Sequence, residues 1–150
     1  MRRTVAPLLL SLACAAALAG CRRGGAERGA PASAPGDVSV DAVTRQLREF
    51  TDELASRVES APDPKAGVAE AQRLLDSRKA EVSARIDALR RKTLANDAAA
   101  RGKWLEAEVD NTRRVHDLQL KYLDVSLRDP ELKAALERLA ADYDSLYKER

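Results

Sequence analysis

The chain has one histidine, His116, and its sequence neighbours do not suit a metal site. A carboxylate-bridged metal site in a helical bundle uses Glu-x-x-His pairs, but Arg113 and Thr112 precede His116 by three and four positions. A single His without Cys ligands cannot form a zinc centre. We therefore expect His116 to be structural, either packed with a satisfied ring nitrogen or at the edge of a helix seam. A pH-sensing or ligand-binding role is the alternative.

Haem binding is also disfavoured by the residue types present. Covalent haem attachment requires Cys-x-x-Cys-His, which the sequence lacks. A b-type bundle cytochrome uses a Met and a His as axial ligands, and the single methionine of this chain is Met1. The sequence therefore predicts no metal and no cofactor.

The carboxylates give no catalytic pattern. Glu106 and Asp110 lie one helical turn apart, and the bases Lys103, Arg113 and Arg114 lie close to them in sequence. This spacing is typical of solvated pairs on a helix surface. The chain also lacks a Gly-rich phosphate loop and a Gly-x-Ser-x-Gly motif, and its spacing indicates no Ser/His/Asp set. We predict that the protein is not an enzyme.

Both cysteines, Cys14 and Cys21, lie in the N-terminal stretch MRRTVAPLLLSLACAAALAGC. Arg2 and Arg3 give this stretch a positive start, and an apolar run follows from Leu8 to Leu18. The run is shorter than the ~20 residues of a permanent membrane span. This combination is typical of a cleaved secretory signal.

The stretch ends in Leu18-Ala19-Gly20-Cys21, an apolar residue and two small residues before a cysteine. This pattern resembles the lipobox of bacterial lipoproteins, and the resemblance covers residues 1–21. It implies that residues 1–20 are a signal peptide, that cleavage falls between Gly20 and Cys21, and that Cys21 carries the lipid. The acyl chains, such as palmitate, would anchor the protein stably to a membrane, which makes membrane lipid an expected partner. The alternative is an ordinary signal peptide with a coincidental Cys.

The residue after the lipobox bears on localisation. In enteric bacteria an Asp at this position retains a lipoprotein in the inner membrane, and here the position holds Arg22. The resemblance therefore implies an outer-membrane lipoprotein of the cell envelope that faces the periplasm. With Cys14 removed and Cys21 acylated, no free thiol would remain for disulfides, thiolate catalysis or metal binding.

The net charge excludes another function class. Loss of Arg2 and Arg3 with the signal reduces the 26 basic residues to 24, which equals the 24 acidic residues. A neutral chain has no basic excess to bind nucleic acid. Residues 21–37 then combine the lipidated Cys with a stretch of Gly, Pro, Ser and Ala that predicts a flexible tether.

Residues 38–150 predict an all-α domain. Aromatic residues make up only 3% of the chain, and its abundant Ala, Leu, Glu, Lys and Arg favour helices. Asp37 or Ser39 can cap a first helix, and Ala61-Pro62-Asp63-Pro64 ends it and opens a second, with Asp63 as the cap. The apolar faces of these two helices are Val40, Val43, Leu47, Phe50, Leu54 and Val58, and then Val68, Ala71, Leu74, Leu75, Val82, Ile86 and Leu89.

Two further helices follow. We place the turn between the second and third helices at residues 94–97, with a break at Gly102 as the alternative. Asp129-Pro130 repeats the Asp-Pro opening of the second helix and starts the fourth. The predicted seams are Trp104, Leu105, Val109, Val115, Leu118, Tyr122 and Val125 in the third helix, with Thr112 and His116 near the seam, and Leu132, Leu136, Leu139, Tyr143 and Leu146 in the fourth.

The predicted architecture is an elongated up-and-down helical bundle with coiled-coil character. The second and third helices have matched lengths, which favours an antiparallel hairpin, and short connections make neighbouring helices antiparallel. Three or four helices are consistent with the pattern, because one short helix could instead stack end to end on another.

The aromatic residues are the candidate contact sites of this domain. We predict Trp104 and Tyr147 as interaction residues, with Trp104 closing one end of the hairpin and Tyr147 exposed or at an interface. Tyr143 is predicted to lie in the core.

Two functions compete on this pattern. The first is a membrane-anchored, non-enzymatic envelope lipoprotein whose bundle binds a protein partner or organises the envelope. The alternative is a periplasmic bundle that binds a small ligand or lipid in an apolar slot lined by its many alanines. As a whole the chain resembles the small helical lipoproteins of bacteria.

Overall fold

The computed structural model describes residues 38–148, and this part of the chain is all helical, with no strand. The predicted signal peptide, the lipidation site Cys21 with Gly20 before it, and the tether over 21–37 lie outside the described residues. The predicted all-α bundle is confirmed. Its helices are α1 (Val40–Ser60), α2 (Pro64–Leu89), α3 (Ala98–Lys121), α4 (Leu123–Ser126) and α5 (Pro130–Asp144).

Local capping explains where the helices begin. The side chain of Asp63 accepts hydrogen bonds from the backbone N–H groups of the first turn of α2, and Asp129 does the same for α5. Pro64 and Pro130 then occupy first-turn positions that need no hydrogen-bond donor. Both predicted Asp-Pro openings are confirmed, and Ser39 is the cap of α1.

The turn between the second and third helices lies where it was predicted. The chain leaves α2 through a widened helical turn, Arg90–Leu94, and Asp97 caps α3 by accepting from the N–H of Ala100 at 3.0 Å. Gly102 lies inside α3, so the alternative break at that glycine is wrong.

The packing order differs from the order along the chain. α1 packs on α2 and α3, and α5 packs on the same two helices, so α2 and α3 lie across a diagonal. Lys103 pairs with Asp41 between the starts of α3 and α1, and Lys65 pairs with Asp129 between the starts of α2 and α5. These two pairs of adjacent helices are therefore parallel.

The prediction of an antiparallel hairpin is therefore confirmed for the direction of the two long helices and wrong for their packing against each other. α2 and α3 run antiparallel, but the short 3₁₀ turn Ser145–Tyr147 at the end of α5 packs against α2, and its Tyr147 ring contacts Trp104 of α3. These bulky groups occupy the space between α2 and α3 that a hairpin would close.

The core confirms three of the four predicted seams. All six predicted residues of α1 are buried, as are the five of α5 and its 3₁₀ turn. In α2 the predicted residues Leu74 and Val82 pack at the edge of the core, and the others are buried. The residues of α2 that are buried are Gly67, Val68, Ala71, Leu75, Ser83, Ile86 and Leu89.

The seam of α3 was predicted only in part. Leu105, Val109 and Val125 were assigned to it, and all three are exposed, whereas Trp104, Val115 and Leu118 are buried as predicted. Small and polar side chains complete the buried face, because they allow α3 to approach its neighbours closely. The buried residues of α3 are Ala100, Trp104, Ala107, Asn111, Val115 and Leu118.

Candidate functional site

The aromatic residues predicted as contact sites lie inside the bundle. Trp104 is 3% exposed and Tyr147 is 9% exposed, and their ring centroids are 5.9 Å apart. The prediction that Tyr147 is exposed or interfacial is wrong, because the 3₁₀ turn at the end of α5 directs its ring inward. Tyr143 lies in the core, as predicted, with its ring 5.8 Å from that of Tyr147. Neither Trp104 nor Tyr147 is presented to a partner in this arrangement.

A chain of hydroxyl groups crosses this aromatic cluster. Tyr147 hydrogen-bonds to Tyr143 with an oxygen–oxygen distance of 3.2 Å, Tyr143 bonds to Thr51, and Thr51 donates to the carbonyl of Leu47 at 2.8 Å. Burial raises the pKa of Tyr143 to about 12 and raises the pKa of Tyr147 as well. Both hydroxyls therefore stay neutral at physiological pH, and the chain satisfies buried polar groups rather than supplying an ionised base.

Glu108 lies on α3 beside this cluster. Burial raises the pKa of its carboxyl, and the nearby guanidinium of Arg90 and the indole N–H of Trp104 act in the opposite direction. Arg90 itself donates to the backbone carbonyl of Tyr147 at 2.5 Å. These contacts hold the end of α5 between α2 and α3.

His116 lies at the edge of the α3–α5 contact. Its Nε2 is 3.1 Å from a carboxylate oxygen of Asp144, and both side chains are part-exposed. The ring nitrogen is satisfied by this partner, which fits the structural role expected for His116.

Residues 38–148 contain no group of three or more His, Cys, Asp or Glu side chains that could hold a metal ion. In the same stretch no helix combines the length and apolar character that crossing a membrane requires.

One groove opens between α1 and α2. It encloses about 270 Å³, and apolar side chains such as Leu47 and Phe50 form its floor. Its rim is closed by polar contacts, because the guanidinium of Arg78 lies 5.4 Å from the ring centre of Phe50 and Arg85 bonds to Gln46 and Glu81.

On the outer side of α3 and α4, large apolar side chains point into solvent without such polar cover. Leu120 is 71% exposed and Leu127 is 70% exposed. We call this surface the outer stripe. The outer stripe consists of Leu105, Val109, Leu120, Leu123 and Leu127. These residues form two groups, because Thr112, Arg113 and His116 lie between Val109 and Leu120 on the same side of α3. Clustered exposed apolar side chains mark interaction sites in soluble proteins.

Four carboxylates flank the outer stripe on the side toward α1: Glu106, Asp110, Asp117 and Asp124. All four are exposed, and within the described part of the chain none lies within ion-pair distance of a base, although Asp117 is near enough to Arg114 to contribute to the raised pKa of that guanidinium. The stripe and these carboxylates together form the candidate interaction surface.

The sequence prediction missed this surface because α3 carries two apolar stripes. One stripe contains Trp104, Val115 and Leu118, and the other contains Leu105 and Val109, about 140° away around the helix. Merging the two produced a seam too wide for one helix face. Counting the apolar residues at each helical angle separately would have distinguished them.

Comparisons of the chain with protein-family models, with curated proteins and with solved structures find no match.

Proposed function

We propose that this chain is a lipid-anchored protein of the bacterial cell envelope whose helical bundle acts by binding another protein, without catalysis. The observation that carries the binding role is the outer stripe, where large apolar side chains remain in water although the bundle has buried its own core. The aromatic cluster and His116 are satisfied by contacts within the bundle, and this supports a structural role for both.

The anchor rests on Leu18-Ala19-Gly20-Cys21 and on the basic and apolar stretch before it. Acylation of Cys21 would attach the protein to the membrane, and Arg22 after it favours the outer membrane with the bundle in the periplasm. In this arrangement the bundle meets its partner close to a membrane surface.

Fatty-acid labelling in the producing bacterium tests the anchor. We expect the wild-type chain to incorporate labelled palmitate and the Cys21→Ala variant to incorporate none. The Cys14→Ala variant is the matched control, because Cys14 lies in the part removed with the signal, and it should label like the wild type. Unchanged labelling of Cys21→Ala would contradict the anchor.

The binding role is tested by affinity capture from envelopes solubilised in detergent. We expect the wild-type chain to retain a specific protein that a Leu120→Glu variant retains much less, because a charge in the outer stripe opposes apolar contact. Failure to retain any specific protein with the wild-type chain would count against the binding role.

The groove between α1 and α2 favours a second candidate, binding of a small apolar ligand. Its volume of about 270 Å³ is slightly smaller than the ~300–1,000 Å³ typical of ligand sites, so the ligand would be small. A fluorescent fatty acid should then bind the full-length chain saturably, and the Val82→Trp variant, which fills the groove, should not bind it. Absence of saturable binding to the wild-type chain would exclude this candidate.

A further inference from the structure

The chain before Val38 enters the bundle at the end that holds the turn between α2 and α3. The carbonyl oxygen of Val38 accepts from the hydroxyl of Thr93 in this turn at 3.5 Å. Val38 follows Cys21 by 17 positions, and a chain of that length reaches at most about 60 Å. A membrane that holds an acylated Cys21 is therefore kept within reach of this end, which we call the tether end. The opposite end lies about 30 Å farther along α1.

The tether end has an excess of positive charge. Among residues 38–42 and 90–103, five side chains are basic and two are acidic. The next helical turn inward on α1, α2 and α3, taken together with Lys148 after Tyr147, adds two bases and two acids and leaves the excess unchanged. The bases of the tether end are Arg90, Arg91, Lys92, Arg101 and Lys103, its acids are Asp41 and Asp97, and the next turn adds Arg45, Lys148, Asp87 and Glu106.

The opposite end of the bundle has no such excess. It consists of residues 57–67 and 118–133, where α1 and α3 end and α2 and α5 begin. Its bases and acids are equal in number, so positive charge is concentrated at the tether end. The bases of the opposite end are Arg57, Lys65, Lys121, Arg128 and Lys133, and its acids are Glu59, Asp63, Asp124, Asp129 and Glu131.

Two bases of the tether end have carboxylate partners. Lys103 lies 3.0 Å from Asp41, and Arg90 lies 3.9 Å from Asp87. Asp97 accepts from the first turn of α3 as its cap. The acids of this end are therefore engaged, and its excess charge belongs to the other bases.

Arg91, Lys92 and Arg101 carry this excess. All three are exposed, and among the described residues none lies within ion-pair distance of a carboxylate. The guanidinium of Arg101 donates to the carbonyl oxygens of Leu94 at 2.8 Å and Ala95 at 3.3 Å. These bonds hold its charge over the turn that carries the other two bases, and carbonyl oxygens do not neutralise it.

We propose that the tether end binds anionic phospholipid headgroups of the membrane in which Cys21 is anchored. Bases beside a membrane surface are attracted by anionic lipid, and the anchor keeps that surface close to this end. An acidic protein offers similar charges, but nothing in the chain holds such a protein near the tether end. The proposal rests on the anchor of the proposed function, and it adds a lipid class and an orientation of the bundle.

Energy transfer to the vesicle surface tests the proposal. The acylated full-length protein carries a fluorophore at Asn96→Cys of the tether end or at Ser60→Cys of the opposite end, both exposed positions. Vesicles with an acceptor-labelled lipid contain either phosphatidylcholine alone or phosphatidylcholine with about one third phosphatidylglycerol. We expect the anionic lipid to increase transfer from position 96 and not from position 60, and about 0.5 M salt to remove the increase.

Charge variants locate the contact. Each base beside an anionic surface contributes roughly fivefold to binding, so Arg91→Glu with Lys92→Glu should reduce the membrane-facing population at least about tenfold. Circular dichroism should show unchanged helix content, because both side chains are exposed. Arg73→Glu with Arg128→Glu is the matched control: it makes the same change in net charge at exposed sites away from the tether end and should keep the increase.

Flotation of the same samples separates this proposal from the anchor. A chain that floats with both kinds of vesicle, but whose transfer is equal on both, would keep the anchor and overturn the proposal. So would an Arg73/Arg128 variant that loses the increase as fully as the Arg91/Lys92 variant. A chain that floats only with the anionic vesicles, and does so through Arg91 and Lys92, would support the proposal and contradict the anchor. Transfer equal on both vesicles, with loss of a specific acidic protein from the Arg91/Lys92 variant, would assign the tether end to that protein.

Discussion

On the α1–α2 side of the bundle, the exposed edges of apolar residues are covered by long charged side chains: Arg78 lies over Phe50 and also contacts Glu53 at 3.6 Å. On the outer side of α3 and α4, Leu105 and Leu120 lie in water, and the carboxylates beside them have no ion-pair partner among the described residues. Both sides carry apolar residues at helical spacing. On the α1–α2 side Arg78 covers such a residue, whereas Leu105 and Leu120 stay exposed, and this second surface is the one that we propose for a partner.

The largest expected difference between the two sides is in the stability lost when a leucine is shortened to alanine. Leu54 of α1 has no exposed surface, so Leu54→Ala should lower the free energy of unfolding by about 2–5 kcal/mol through lost burial and a cavity. Leu120→Ala removes the same atoms from a side chain that is 71% exposed, and it should change stability by no more than about 0.5 kcal/mol. Urea unfolding of both variants measures the contrast. Comparable losses would mean that the outer stripe is covered in the isolated protein.

The next comparison is the change in stability when a glycine, Gly67 in α2 or Gly102 in α3, is replaced by alanine. Gly67 of α2 packs against the end of α1, where an added Cβ would lie 2.8 Å from the carbonyl oxygen of Arg57 and 3.0 Å from Cα of Val58. Backbone atoms cannot yield cheaply, so Gly67→Ala should destabilise the fold by about 1–3 kcal/mol despite the better helix propensity of Ala. Thermal unfolding gives the value. A stabilised Gly67→Ala variant would contradict this tight contact between α1 and α2.

These tests concern features that the sequence predicts unequally. The face of α1 from Val40 to Val58 was predictable, because its apolar residues have one helical period and no second stripe. The Asp-Pro openings at Asp63 and Asp129 were predictable because capping is local. The order of helices around the bundle was not, since it is set by contacts between residues distant in sequence, such as that of Tyr147 with Trp104.

The candidate surface was missed for a related reason. Hydrophobicity alone assigns Leu105 and Trp104 to the same seam, although they are adjacent in sequence and point about 100° apart on a helix. The buried face of α3 is completed by Ala107 and Asn111, whose small or polar side chains carry little hydrophobic signal. Asn111 donates to the carbonyl of Ala107 at 2.7 Å, which satisfies its amide inside the helix.

Gly102 of α3 is the glycine to compare with Gly67, because it lies in an exposed part of its helix. An added Cβ at Gly102 would meet nothing within 4 Å, and the residue lies inside a helix. Gly102→Ala should therefore raise the free energy of unfolding by about 0.5–1 kcal/mol, because alanine loses less backbone entropy on folding. Thermal unfolding beside Gly67→Ala checks the opposite signs, and destabilisation by Gly102→Ala would indicate a contact on this face within the chain.

The smallest expected effects concern two carboxyls, Glu59 and Glu108, whose pKa values are shifted in opposite directions. Glu59 lies 2.8 Å from Arg114 and 3.0 Å from Lys121, and the hydrogen bond from Arg114 is the main cause that lowers its pKa below 4.5. A carboxyl with a lowered pKa in the folded state stabilises the fold above its unfolded pKa, and this contribution is lost as pH falls through the folded pKa. Because Arg114 is part-exposed, Glu59→Gln should cost only about 0.2–1 kcal/mol at pH 7. The difference from the wild type should shrink as pH falls below 4.5.

Glu108 should give a pH dependence of stability that is opposite in sign to that of Glu59. Burial raises its pKa above 4.5, so the folded state favours the protonated form and loses stability as pH rises from 4.5 through the folded pKa. Glu108→Gln keeps an oxygen that can accept from the indole N–H of Trp104 and removes the buried charge, so it should raise the free energy of unfolding at pH 7 and have little effect below pH 4.5. Urea unfolding of both variants between pH 3 and pH 8 measures the two slopes. If Glu108→Gln destabilised the protein at pH 7, a partner within the chain, such as Arg90, would stabilise the ionised carboxyl by more than burial disfavours it.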